Sequence, residues 1–418
     1  MVMRRAEVVI ESIASGGDGV ARADGLVLFV PRSAPGDRAL VEFPTGGRFA
    51  RASLIEIITP SPQRTEPPCA HFVHDRCGGC QLQHLMYDHQ RAAKRRIIGD
   101  AIERIGKRVA GQPDVRPSAR PFRYRRKLTL ALRRRGGRWI GGLHPYDAPA
   151  HVFKLDDCLI TEERVLGVWR DILSASDTFP NARELRGAVR LDDHGASFVL
   201  EGGDSWPRSA ELLDRAPALA AVWWIPAKGG RTLLHQRGDD QPPGASFAQV
   251  NPTVAAELRE YVLERILARS PAKVVDAYAG LGDIAVPLSK RGIQVTAIEL
   301  DADAAGWCHE RLPSGSRAIA ARVEDVLADA LPADVVLLNP PRAGVDVRVT
   351  EVLDSATPSP RAVVYVSCDP ATLARDLRRM PGWKIASTVA FDMFPQTAHV
   401  ETVCELVSGT AGDSPVES

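Results

Sequence analysis

The chain has no long hydrophobic run. Across 418 residues no apolar stretch approaches the roughly 20 residues that cross a bilayer as a helix. The N-terminal MVMRRAEVVIES breaks into charges before the apolar part of a secretory leader could form, so the expected location is the cytoplasm. Cysteine is scarce, at seven residues. In a compartment that keeps thiols reduced these are not a disulfide framework, and their spacing needs another explanation. An excess of one charge is also missing, with 53 Lys and Arg against 52 Asp and Glu. No repeat or coiled-coil pattern is present, and a monomer is the default expectation.

The balanced charge is unevenly spread. Residues 1–160 hold 27 Lys and Arg against 16 Asp and Glu, and the remainder holds 26 against 36. Such a split suggests a nucleic-acid contact surface on the basic part, ordinary solvated surface being the plain alternative. At 44% hydrophobic and 25% charged the chain reads as globular, and it is longer than one core usually organises. Three units are expected, at 1–62, 63–244 and 245–418.

Residues 1–62 alternate short β-like runs with Gly and Pro turns, as in LVLFVP, SAPGDRALVEF and RASLIEIITP, which predicts a small OB-like β-barrel. After the polar link SPQRTEPP the chain reads CAHFVHDRCGGCQLQHL. Cys69, Cys77 and Cys80 lie close together there, and Cys158 stands alone downstream. Four thiolates from two segments can close a site for structural zinc or for an iron–sulfur cluster, and spacing does not separate the two. Between them, RPFRYRRKLTLALRRRGGRWIGGL reads as an Arg-dense hairpin. Its cations could track a phosphate backbone, with Phe122, Tyr124 and Trp139 available to stack bases. A solvated strand face would look the same. Trp169, Trp206, Trp223 and Trp224 read as packing residues.

From Phe247 onward strands and helices alternate, predicting a doubly wound α/β sheet of Rossmann-like form with ligands beyond the strands' carboxyl ends. In VVDAYAGLGD, Gly280 and Gly282 would let the backbone approach a cofactor. Glu299 ends the next strand, where a carboxylate can accept two ribose hydroxyls. Both features suit NAD as well as S-adenosylmethionine. Asn339-Pro340-Pro341-Arg342 forms a rigid turn after the strand ADVVLL. Cys368 ends the strand AVVYVS, so its thiol should stand in the crevice near a helix N-terminus. A thiol there could add to carbon 6 of uracil and make carbon 5 nucleophilic. Release then needs a base, for which Glu401 is the candidate and His399 the rival. Cys308 and Cys404 lack such placement and read as filler.

The segments CGGCQLQHL, FAQVNP, DAYAGLGD, NPPRAGVD, VYVSCDPATLARDL and DMFPQTAHVETV together resemble the RNA (uracil-5-)-methyltransferases, and the N-terminal GGDGVARADGLVLFVPRSAPGD resembles a TRAM domain. The likeness is strongest to the TRAM-bearing, iron–sulfur branch acting on ribosomal RNA. It implies Cys368 as nucleophile and Glu401 as base. Gln249, Tyr278, Asp283, Glu299, Asp325 and Asn339 would then surround S-adenosylmethionine and the target base. It also implies a four-iron [4Fe-4S] cluster on Cys69, Cys77, Cys80 and Cys158, and a flipped uridine in folded RNA as substrate. Two positions depart from the pattern: Asn339 stands where Asp is usual, and Asp369 where Asn is usual. This exchange suggests a compensating acid–amide pair. Two other readings stay open, an RNA-binding protein with reduced catalysis and an amino-group methyltransferase that needs no cysteine.

Overall fold

The computed structural model describes residues 2–109, 111–192, 195–238 and 249–409. The expected boundary at 244/245, and Phe247 and Ala248 of FAQVNP, lie outside them. Between Met3 and Thr59 seven strands form a three-stranded and a four-stranded sheet. The strand RALVEFP alternates strictly, turning Ala39, Val41 and Phe43 inward. These meet Val8, Leu28 and Val30 in one apolar core shared by both sheets, as two half-buried faces must.

The middle of the chain is a seven-stranded sheet grown from the Arg-rich hairpin, Lys127–Arg135 with Arg138–Leu143. Gly136 and Gly137 have φ of +57° and +78°, and Arg135 pairs with Arg138. A two-residue turn with both φ positive matches the twist of the strands it joins. Helix Glu163–Ser174 covers one face, and its Trp169 is buried in one core with Phe198 and Trp206. Trp223 and Trp224 are only half-buried.

The fourth sheet has eight strands. Its order is Arg317–Ala320, Gln294–Glu299, Lys273–Ala277, Val335–Leu338, Ala362–Ser367, Glu401–Ser408, Trp383–Phe391 and Asp114–Arg116. The first five are parallel, and Glu401–Ser408 runs antiparallel between its neighbours. VVLL and AVVYVS are buried at every residue, as strands covered on both faces require. The last edge strand comes from far upstream, and it pairs parallel with Trp383–Phe391. Ile98 and Ile102 of helix Tyr87–Arg104 enter the same core as Tyr365 and Leu373. The stretch 87–116 thus packs on the C-terminal sheet, although it lies within the 63–244 stretch of the sequence.

Candidate active site

Parallel strands direct their carboxyl ends to one edge, and the reversed strand Glu401–Ser408 brings its amino end to that edge. Ser367 pairs with Thr402, so one further step sets Cys368 opposite Glu401. The next helix, Pro370–Arg378, is capped by Asp369, whose Oδ1 accepts from the amides of Ala371 at 2.8 Å and Thr372 at 3.0 Å. Cys368 therefore stands just before a helix N-terminus, as expected. Burial pushes its thiol above the ordinary range, Glu401 adds to the rise, and Arg342 opposes it. Glu401 is 3% exposed, and burial raises its carboxyl to about 7 against the pull of Arg342.

Arg342 belongs to the Asn339–Arg342 turn, which is tied to the Cys368 helix. Buried Asp376 accepts from Tyr365 Oη at 2.8 Å and from the Val345 amide at 3.0 Å. Arg375 donates to Ala343 O at 2.7 Å. Gly344 has φ +76°, and an added Cβ would lie 2.3 Å from Asp376 Oδ2, so this close approach requires glycine. His399 lies in the loop before the strand, exposed, its ring against Phe394. Burial and then Arg342, Lys94 and Arg125 hold its imidazole below the ordinary value.

The other end of the crevice is built on Lys273–Ala277. Tyr278 and Gly280 have φ of +65° and +55°, and an added Cβ at Gly280 would meet nothing within 4 Å. Gly282, at φ +86°, sits 2.5 Å from Cys308 Sγ by the same construction, which gives Cys308 a packing role. Glu299 accepts from the Gly280 amide at 2.8 Å and from the Asp301 amide at 2.9 Å. Asn339, exposed, donates its amide to Ala277 O at 3.3 Å. Gln249 Oε1 is buried with no hydrogen-bond partner among the described residues. Asp283 pairs with Arg259 at 3.2 Å and Asp325 with Arg348 at 2.8 Å. Both carboxylates are at least half exposed. The neighbour Glu324 is the more enclosed, at 12%, and is the charge that acts most strongly on Tyr278.

Sequence reasoning passed over Asp276 and Glu324. Asp276 is 2% exposed, its Oδ2 has no partner among the described residues, and burial with Asp283 and Glu299 nearby raises it to about 7. An acid inside the apolar strand VVDAY was the available signal. The acidic group of Asp276, Asp283 and Glu299 around an open Gly turn suits a cationic ligand.

Cys69, Cys77, Cys80 and Cys158 all line one cavity of about 150 Å³ together with Leu128 and Leu143. Burial raises the Cys77 thiol to about 11 and the Cys158 thiol above its ordinary value. Gly78 lets the loop pass the 144–146 backbone, where an added Cβ would lie 3.2 Å from His144 O. Among the described residues no group of three or more His, Cys, Asp or Glu side chains is arranged to hold a single metal ion.

Part of the Arg-rich segment is engaged within the protein. Arg123 grips Asp157 through two 2.8 Å bonds and reaches Cys158 O at 3.0 Å. Arg126 pairs with Glu162 at 2.9 Å and Arg133 with Glu184 at 3.0 Å. Tyr124 and Trp139 are 3% and 8% exposed, so their rings cannot stack on bases. Arg123, Arg126 and Arg133 thus hold the Cys158 segment and the sheet through neighbouring carboxylates, whereas Arg125 and Arg135 donate to the carbonyls of Lys127 and Val152.

A family model described as tRNA (Uracil-5-)-methyltransferase matches residues 314–408. The chain is 32% identical to an uncharacterised RNA methyltransferase of Halalkalibacterium halodurans, with 96% of each chain covered. It is also 32% identical to one of Gloeobacter violaceus, over 96% of this chain and 95% of the relative. The structure of the Pyrococcus abyssi tRNA (uracil-54, C5)-methyltransferase in complex with S-adenosyl-L-homocysteine matches with a TM-score of 0.70 at 23% identity. That match covers 96% of this chain and all of the other and shows a shared fold.

Proposed function

The chain belongs to the RNA (uracil-5-)-methyltransferase family, and we propose that it methylates carbon 5 of a uridine in RNA through a covalent adduct on Cys368. The observation that carries this reading is the pairing that sets a half-buried thiol opposite a buried carboxyl of raised pKa, with Arg342 beside both. An amino-group methyltransferase has no use for that thiol.

S-adenosylmethionine, when bound, supplies an electrophilic methyl group. The crevice suits it: Gly280 leaves open space, Glu299 is oriented by two amides, and Asp276 and Gln249 keep buried polar atoms unpartnered among the described residues. Tyr278 and Asn339 flank the same edge, and the enclosed Glu324 complements Asp325. Cys368 Sγ forms a bond to carbon 6 of the uracil, moving the ring's electron pair toward the O4 enolate so that carbon 5 becomes the nucleophile. Arg342 favours the thiolate. After methylation Glu401 takes the proton from carbon 5, the carbon 5–carbon 6 double bond re-forms, and Cys368 leaves as thiolate. A carboxyl near pH 7 suits that duty better than His399, which lies outside the strand.

The four-cysteine cavity is proposed to hold a [4Fe-4S] cluster. The four cysteines line one cavity and so supply the thiolate set that such a cluster takes, and the resemblance to the iron–sulfur branch favours it over zinc. With the N-terminal barrel read as a TRAM module, ribosomal RNA is the favoured substrate. A transfer RNA is the second reading, because the structurally similar Pyrococcus abyssi enzyme acts on one. Incubating the protein with methyl-labelled S-adenosylmethionine and unmodified ribosomal or transfer RNA should give labelled 5-methyluridine from one pool. Label in an N-methylated nucleoside would contradict the reading.

A further inference from the structure

The loop Asp392–Val400, which leads into Glu401, buries Met393 and Val400 in the core of its own sheet. It is held by side chains and amides from residues 81–124, more than 270 positions upstream. Gln396 is the centre. It is 3% exposed and adopts φ +69°, a conformation that a residue with a side chain keeps only when its surroundings enforce it. Its carbonyl accepts from the amides of Gln81 at 3.1 Å and Leu82 at 2.9 Å, the two residues that directly follow Cys80. Its amide donates to Gln90 Oε1 at 3.0 Å, and its Oε1 accepts from Gln90 Nε2 at 2.9 Å.

The flanking residues are fixed from the same side. Pro395 O accepts from Tyr124 Oη at 3.0 Å, and Tyr124 packs against Cys69 and Cys80. Phe394 O accepts from Lys94 Nζ at 3.0 Å, and Lys94 forms a fully buried ion pair with Asp392. Three consecutive carbonyls are thus bound by groups from outside the sheet. A buried pair and a two-bond amide clamp contribute geometric specificity more than net stability.

We propose that Gln396, clamped by Gln90 and by the two amides after Cys80, is a positioning residue that sets Glu401 against the reacting uracil and links the cysteine-lined cavity to the catalytic loop. The proposal rests on the reading of Glu401 as base. Disturbing the clamp therefore lowers turnover and leaves RNA affinity intact, because neither Gln90 nor Gln396 is placed in the crevice. The same clamp gives the cysteine cavity a mechanical route to catalysis that needs no electron transfer.

The test is Gln90→Ala in the full-length protein, read two ways. Hydrogen–deuterium exchange over residues 392–401 should rise while the peptides of strand Ala362–Ser367 keep their protection. The kcat should fall about tenfold or more with KM for RNA unchanged, since a displacement near 1 Å can cost about 10²-fold. Tyr124→Phe removes only the hydroxyl at Pro395 and serves if Gln90→Ala does not fold, with smaller changes in the same direction. Unchanged exchange over 392–401, or a kcat equal to wild type, overturns the proposal. Absence of 5-methyluridine from the wild type would sink the functional reading alone, since exchange judges the clamp without catalysis.

Discussion

At the scale of single residues, Glu401 joins two demands that conflict elsewhere in the protein. A base must be ionised to accept a proton, yet burial favours its neutral form. With its carboxyl raised to about 7, the rate of the release step should climb with pH through roughly neutral values and level off above. The same shift has an opposite sign for stability. The unfolded chain holds this carboxyl at its lower ordinary pKa of 4.5, so between there and about 7 the unfolded state binds fewer protons and stability falls as pH rises. Glu401→Gln should therefore melt close to wild type near pH 4.5 and above it at pH 8, in scanning calorimetry. A difference that shrinks with rising pH would contradict the burial account. Cys368 and Glu401 were legible because strand-end position and local motif point to them. Asp376 and Gln396 were not, since their partners lie at Gly344–Val345 and at residues 81–90, and no local pattern records a distant hydrogen bond.

At the scale of elements, the sequence pattern served well wherever burial was one- or two-sided. VVLL and AVVYVS announce strands covered on both faces, and RALVEFP a half-covered one. It was silent on the Arg-rich segment, because a run of cations looks the same whether it faces phosphate or, as Arg123, Arg126 and Arg133 do, neighbouring carboxylates. Asp369 spends its Oδ1 on capping helix Pro370–Arg378, a role that Asn performs equally. Arg123 holds the Cys158 segment through Asp157 and Cys158 O, and His71 ties it to the Cys69–Cys80 segment, its Nε2 accepting from the Asp156 amide at 3.1 Å. Anaerobically purified protein should contain about four iron and four sulfide per chain, the content of the proposed cluster, and Cys158→Ala should lose them. A colourless protein with one zinc would contradict the cluster.

At the scale of the whole molecule, the functional edge belongs to the eight-stranded C-terminal sheet. The edge is completed by chain from outside the C-terminal unit: strand Asp114–Arg116 extends its sheet and helix Tyr87–Arg104 packs into its core. This crossing of segments was not readable from the sequence, because a three-residue strand carries too little pattern to reveal its partner. The barrel's Arg32 stacks on Phe72 and Tyr146 and donates to Cys77 O at 3.2 Å. The cysteine loop is thereby held between the barrel and the catalytic loop. The central claim remains the covalent chemistry at carbon 5, and one measurement addresses it directly. RNA carrying tritium at carbon 5 of uracil is incubated with the protein and S-adenosylmethionine, and tritium in water is counted. Release that requires the methyl donor and vanishes in Cys368→Ala is the predicted result; methyl transfer without release, or release that survives Cys368→Ala, would contradict it.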